Sequence, residues 1–102
     1  MKTKREHKPA LYEAVLSLRT VAECIDFFED LCTVNELLSL SQRFEVASML
    51  CDHDTYLKIA EKTGASTATI SRVNRSLNYG DDGYALVFGR MESRRGKKDE
   101  SE

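Results

Sequence analysis

Thr67, Ala68, Ser71, Arg72 and Arg75 are the residues of this chain whose types and spacing best suit a chemical task. Two hydroxyls, a lone methyl and two guanidiniums, with no acid among them, suit close approach to a polyanion. Small groups let a helix settle into a nucleic-acid groove, and arginines pair with phosphate or guanine edges. Thr67, Ala68 and Ser71 are candidates for base edges or thymine methyls. Thr69, Arg72 and Arg75 are candidates for phosphate positioning, with Arg75 also in reach of guanine.

These residues need a helix to hold them, and the apolar spacing predicts one. Ile70, Val73 and Leu77 recur at i, i+3 and i+7, a stripe on the side away from the basic set. Ser66 is the predicted N-cap and joins the DNA-facing residues. Asn78 and Gly80 end the helix. Ahead of it, Gly64 sits where a preceding helix must stop and turn, since glycine enters left-handed backbone without steric cost. That preceding helix begins at a Thr55 cap, and Leu57, Ile59 and Ala60 form its apolar side. Lys58 and Lys62 on it are candidate phosphate anchors, or simply a solvated face. Residues 55–80 therefore read as a helix-turn-helix, with small Ala60, turning Gly64, and apolar Ile70 and Val73 at its structural positions. The competing reading is an ordinary hairpin inside a helical core.

Upstream, Met1–Lys8 is a mostly basic arm, expected to be mobile. Pro9 suits a first helical turn, and Leu11, Ala14, Val15 and Leu18 follow with helical spacing. Thr20 to Glu23 and Thr33 to Glu36 are capping-box patterns. The first should open a helix with Val21, Ile25, Phe28 and Leu31 on one face and Phe27 beside it. The second should open a short helix with Leu37, Leu38 and Leu40. Ser41 should cap a further helix bearing Phe44, Val46, Ala47 and Leu50. Cys51–Asp54 is a polar link. The expected fold is all-α with about six helices. After the turn at Asp81–Gly83, Tyr84–Phe88 is an apolar run, either strand-like or a helix capped by Asp82. Arg90–Glu102 is a charge run that reads as a solvated tail, with a phosphate-binding arm as the alternative. The predicted division is an arm at 1–8, a helical domain at 9–91 and a charged tail at 92–102.

A chain of 102 residues suits one domain. Its 15 basic and 17 acidic residues leave a net charge of -2, so affinity for DNA must come from local placement. No long apolar run or charged leader indicates a membrane span or secretory signal. Three cysteines, an odd number without framework spacing, suggest reduced thiols in a cytoplasm. Cys24, Cys32 and Cys51 read as small core residues, and Phe27, Phe28 and Phe44 as dimer core. An enzyme is a poor reading, because His7 and His53 lack the partners that a nucleophile or a zinc ion needs. The rival in another class is a dimeric helical protein-interaction module, its helix-turn-helix vestigial and its Tyr84–Phe88 run docking a partner.

The pattern Phe27-Phe28-Glu29-Asp30-Leu31-Cys32-Thr33, Glu36-Leu37-Leu38, Gln42-Arg43 and Gly64–Val73 resembles the Trp-repressor-like proteins. It looks most like their YerC/YecD-type branch, including the Gly80 to Gly83-Tyr84 ending. The likeness covers most of Leu11–Tyr84. It implies an interlocked helical homodimer that binds a palindromic operator in duplex DNA through two paired reading heads, most simply as a repressor. It also implies a site for a small-molecule corepressor, tryptophan or another, at Thr33, Arg43 and Arg72. Two arginines can sandwich a planar ring and pair with a carboxylate. Two departures stand out. The Cys51–Asp54 link is longer by a residue, and the segment after Leu77 lacks the look of the repressor's long final helix.

Overall fold

The computed structural model describes residues 6 and 8–100, with side chains through Arg94. Six helices and no strand occur among the described residues: α1 (Pro9–Leu16), α2 (Val21–Leu31), α3 (Val34–Cys51), α4 (Tyr56–Thr63), α5 (Thr67–Tyr79) and α6 (Gly83–Glu100). The all-α expectation holds. Of the arm at 1–8, only Glu6 and Lys8 are described, both exposed. The chain forms two compact units, Met1–Ser41 and Gln42–Glu102.

In the N-terminal unit, helix starts follow the expected chemistry. Pro9 stands in the first turn of α1. The Thr20 hydroxyl accepts the Glu23 amide at 3.1 Å, while the Glu23 carboxylate accepts from the Arg19 amide, one residue before the cap. Thr33 and Glu36 make the full reciprocal box, at 3.1 and 2.8 Å. Phe27 and Phe28 meet edge to face, with centroids 5.6 Å apart. Yet no described residue of this unit is buried. Leu16 is 84% exposed, Val21 76% and Val34 73%, and Ile25, Leu31, Leu38 and Leu40 are also exposed.

One continuous α3 replaces the two helices expected to meet at a Ser41 cap. No glycine or proline interrupts Val34–Cys51. Extending a helix one residue is far easier than starting a new one, and an exposed serine is tolerated inside it. The helix ends in a Schellman-type closure. His53 takes left-handed backbone at φ 65, its amide donates to the Leu50 carbonyl, and the Asp54 amide donates to the Met49 carbonyl.

The C-terminal unit has its own core. Val46, Ala47 and Met49 from α3, Ile59 from α4, Ala65 from the turn, and Ile70 and Val73 from α5 are buried. Leu50, Ala60, Leu77, Tyr84 and Phe88 pack around them. Leu57 departs from expectation: it is 72% exposed, because Ile59 and Ala60 already supply the inward face of this short helix. The cysteines are not core residues either. Cys24 and Cys32 are half-buried and Cys51 is exposed, all three as free thiols.

Tyr84–Phe88 is helical, and α6 continues to Glu100, so a long final helix is present after all. Asp82 does not cap it in the usual extended conformation. Its φ is 64, and its carbonyl accepts the Leu86 amide at 3.1 Å. Tyr84 stacks on Phe88 at 6.0 Å, and Phe88 meets Phe44 of α3 at 5.1 Å. These ring contacts fasten α6 to the core and explain why the run is helical: its aromatics lie four residues apart. Phe44 itself remains 39% exposed. Gly80 closes α5, where a Cβ would collide with the Ser76 carbonyl.

Candidate nucleic-acid interface

The α4–turn–α5 hairpin forms as its residues predict. The Thr55 hydroxyl accepts the Lys58 amide at 3.2 Å and starts α4. Gly64 ends it in left-handed backbone at φ 74, its amide donating to the Ala60 carbonyl at 2.9 Å. The Ser66 hydroxyl then accepts the Thr69 amide at 3.1 Å and starts α5. Ile59, Ala65, Ile70 and Val73 lock the two helices together from inside. Full burial of an isoleucine or valine side chain contributes about 1.5–3 kcal/mol, and that of the Ala65 methyl less than about 1 kcal/mol.

Two further residues shape this turn, and sequence reasoning missed both. The Thr63 hydroxyl donates to the Ile59 carbonyl at 2.7 Å and accepts the Ala65 amide at 3.1 Å. Gln42 reaches from α3 to donate its side-chain amide to the Thr63 carbonyl at 3.2 Å. A hydroxyl immediately before the turn glycine was a signal for Thr63. Gln42 had none, since its partner lies 21 residues away.

With the inner face buried, α5 shows solvent Thr67, Ala68, Ser71, Arg72 and Arg75, all exposed. Neither arginine makes an ion pair among the described residues. No acid occurs in the first turn, so the positive end of the helix dipole is left uncompensated there. The structure thus brings these five predicted residues onto one helix surface.

The remaining candidates differ in how free they are. Ser66 is exposed, but its hydroxyl is committed to Thr69, whose side chain is half-buried. Lys58 pairs with Asp54 at 3.1 Å, whereas Lys62 is exposed without an ion pair among the described residues. Arg43 on α3 is likewise exposed and unpaired among the described residues. Thr33 belongs to the N-terminal unit, where it caps α3. Among the described residues no group of His, Cys, Asp and Glu could hold a metal, and no helix is long and apolar enough to cross a membrane.

Comparisons with known proteins agree with this arrangement. A family model described as Trp repressor protein matches residues 6–92. The uncharacterized protein YerC of Bacillus subtilis strain 168 is 57% identical over 81 residues, covering 79% of this chain and 78% of that protein. The crystal structure of a TrpR like protein from Eubacterium eligens superposes with a TM-score of 0.79 at 71% identity, covering 81% of this chain and 86% of that one. That of a candidate Trp repressor from Staphylococcus aureus also gives 0.79, at 53% identity, covering 81% and 83%. A family match spanning nearly the whole helical region, with relatives this near in sequence and in backbone, makes the chain a member of the Trp repressor family.

Proposed function

We propose that this protein is a sequence-specific DNA-binding regulator that acts as a homodimer and represses by occupying a palindromic operator. The observation that carries the reading is the outer surface of α5, exposed, hydroxylated, basic and free of acid, on a helix anchored from behind by its own core. Two unpaired arginines on this surface, in the second and third turns of α5, are placed to meet phosphate. Membership of the Trp repressor family supports the same conclusion.

The homodimer is supported by the N-terminal unit. Its helices carry Leu11, Leu16, Val21, Ile25, Leu31, Val34, Leu38 and Leu40 in exposed positions. The described residues of this unit include none that is fully buried, so they lack the apolar burial needed to offset the entropy of ordering them. A second copy supplies matching surface. Two-fold pairing would set two α5 helices about one DNA turn apart, roughly 34 Å, and so select a palindrome.

A small-molecule corepressor, tryptophan or another, would engage Thr33, Arg43 and Arg72 in this reading. The unpaired guanidiniums of Arg43 and Arg72 are available for it, while the Thr33 hydroxyl already caps α3. A ligand that binds one head orientation better than another shifts the population toward it.

Selection of bound duplexes from a random pool, with and without added amino acids, tests the reading. Enrichment of a palindrome with two half-sites is expected. Recovery of no preferred sequence contradicts specific regulation, and an unchanged affinity with tryptophan removes that corepressor alone.

A further inference from the structure

The exposed surface of α5 is unusual in what it omits. The base-reading pairings available in the major groove are few: Asn or Gln to adenine, Arg or Lys to guanine, a carboxylate to cytosine, and apolar contact with the thymine methyl. No Gln, Asp, Glu or Lys occurs anywhere in α5. Asn74 is half-buried, and its side-chain oxygen accepts from the Asn78 amide at 3.3 Å. Asn78 is bound to the Asn74 carbonyl as well, at 2.9 Å, near the far end of the helix. Adenine and cytosine therefore have no dedicated reader on this surface.

The hydroxyls narrow the choice further. Those of Ser66 and Thr69 are tied to each other at 3.1 Å. Ser71 is exposed, yet a hydroxyl donates and accepts alike and so discriminates weakly between bases. Two selective contacts remain. One is an arginine to guanine. The other is apolar, and its residues stand at the first and second positions of the helix, the turn that a groove-entering helix inserts most deeply. Ala68 carries a single exposed methyl and no polar group, and Thr67 beside it adds a second methyl.

We infer that the reading head selects A·T pairs in its half-site through thymine methyl groups, contacted by Ala68 and by the methyl of Thr67. This inference rests on the DNA-binding reading and adds the chemistry by which one sequence is preferred. An A·T pair is then read from its thymine side, and the discriminating group on the DNA is a methyl that uracil lacks.

The test replaces thymine by deoxyuridine, one position at a time, in the selected operator, with affinity measured by fluorescence anisotropy. Removing the methyl at one or two positions of each half-site should weaken binding by roughly fourfold each, the factor expected for one buried methyl-sized group. Thr67→Ser, which keeps the hydroxyl, and Ala68→Gly should each lose sensitivity at one position. The ratio of uracil to thymine affinity within each variant cancels any general loss from altered helix stability. Full affinity for every uracil duplex overturns the inference, as does undiminished discrimination in both variants. In those cases specific binding itself survives. If the protein binds no duplex preferentially, the DNA-binding reading falls first and takes this one with it.

Discussion

The Ser66 hydroxyl accepts the Thr69 amide at 3.1 Å and donates to the Thr69 hydroxyl at the same distance. One residue therefore both opens α5 and ties up two hydroxyls, its own and that of Thr69. Ser66→Ala should destabilise the protein by about 1 kcal/mol, the usual value of a lost N-cap. Ser66→Asp keeps a capping acceptor but puts negative charge at the end of α5 that meets DNA in the proposed reading. Urea unfolding should place Ser66→Asp near the parent protein, while duplex affinity drops at least tenfold. Equal affinities for the two proteins would mean that this end of α5 does not face phosphate.

The buried side chains Ile59 and Ile70 join the two helices of the head, both at 0% exposure. Truncating either to alanine should cost about 2–5 kcal/mol, because the transfer loss is joined by a cavity. Leu57→Ala, two residues from Ile59 and so close to the opposite side of α4, is at a position 72% exposed and should stay within about 0.5 kcal/mol. Denaturant midpoints decide between them.

Much of this head was legible in the residues themselves. Thr55, Gly64 and Ser66 act locally, through caps and a left-handed turn, and local chemistry is readable from neighbours in sequence. Ser41 misled because a serine before a polar stretch can cap a helix or ride inside one. The competition was decided by uninterrupted helix on both sides. Tyr84–Phe88 was undecidable alone. Its Phe88 ring packs on Phe44, 44 positions upstream, and no short window on the sequence contains both rings. The outer surface of α5 could be read because it needs no partner inside the protein. The tie from Gln42 to Thr63 could not, for the opposite reason.

His53 holds a left-handed conformation at φ 65 in the closure of α3. A side chain there is strained by about 1 kcal/mol relative to glycine. His53→Gly should therefore raise stability by roughly 0.5–1 kcal/mol, read as a higher denaturant midpoint with an unchanged slope. A decrease would show that the imidazole makes a contact that offsets the strain.

Ile25 is 53% exposed within a unit whose described residues include none that is fully buried. In an isolated chain Ile25→Glu would be nearly neutral. In a homodimer built on this surface, the charge must be buried or the copies must part. Sedimentation should show the parent protein as a dimer and the variant shifted toward monomer, with a melting temperature that depends on concentration. A parent protein that stays monomeric at high concentration contradicts the dimer.

Lys58 and Lys62 share α4, but only Lys58 is held by an acid, Asp54 at 3.1 Å. Its removal should change stability by no more than about 0.5 kcal/mol, as for other exposed i, i+4 pairs. Lys58→Ala should also reduce the salt dependence of DNA binding less than Lys62→Ala does, since a lysine shared with a carboxylate displaces fewer counterions. Identical salt slopes for the two variants would show that Asp54 lets go of Lys58 on the duplex.

The central claim is that the outer surface of α5 binds duplex DNA through its two unpaired arginines. The direct measurement is the affinity for the selected operator across a range of salt, for the parent protein and for Arg72→Ala with Arg75→Ala. The parent should weaken steeply as salt rises. The double variant should bind at least tenfold more weakly, with a shallower slope by roughly one unit for each arginine and each copy that has lost a phosphate contact. Unchanged affinity together with an unchanged slope would contradict the account.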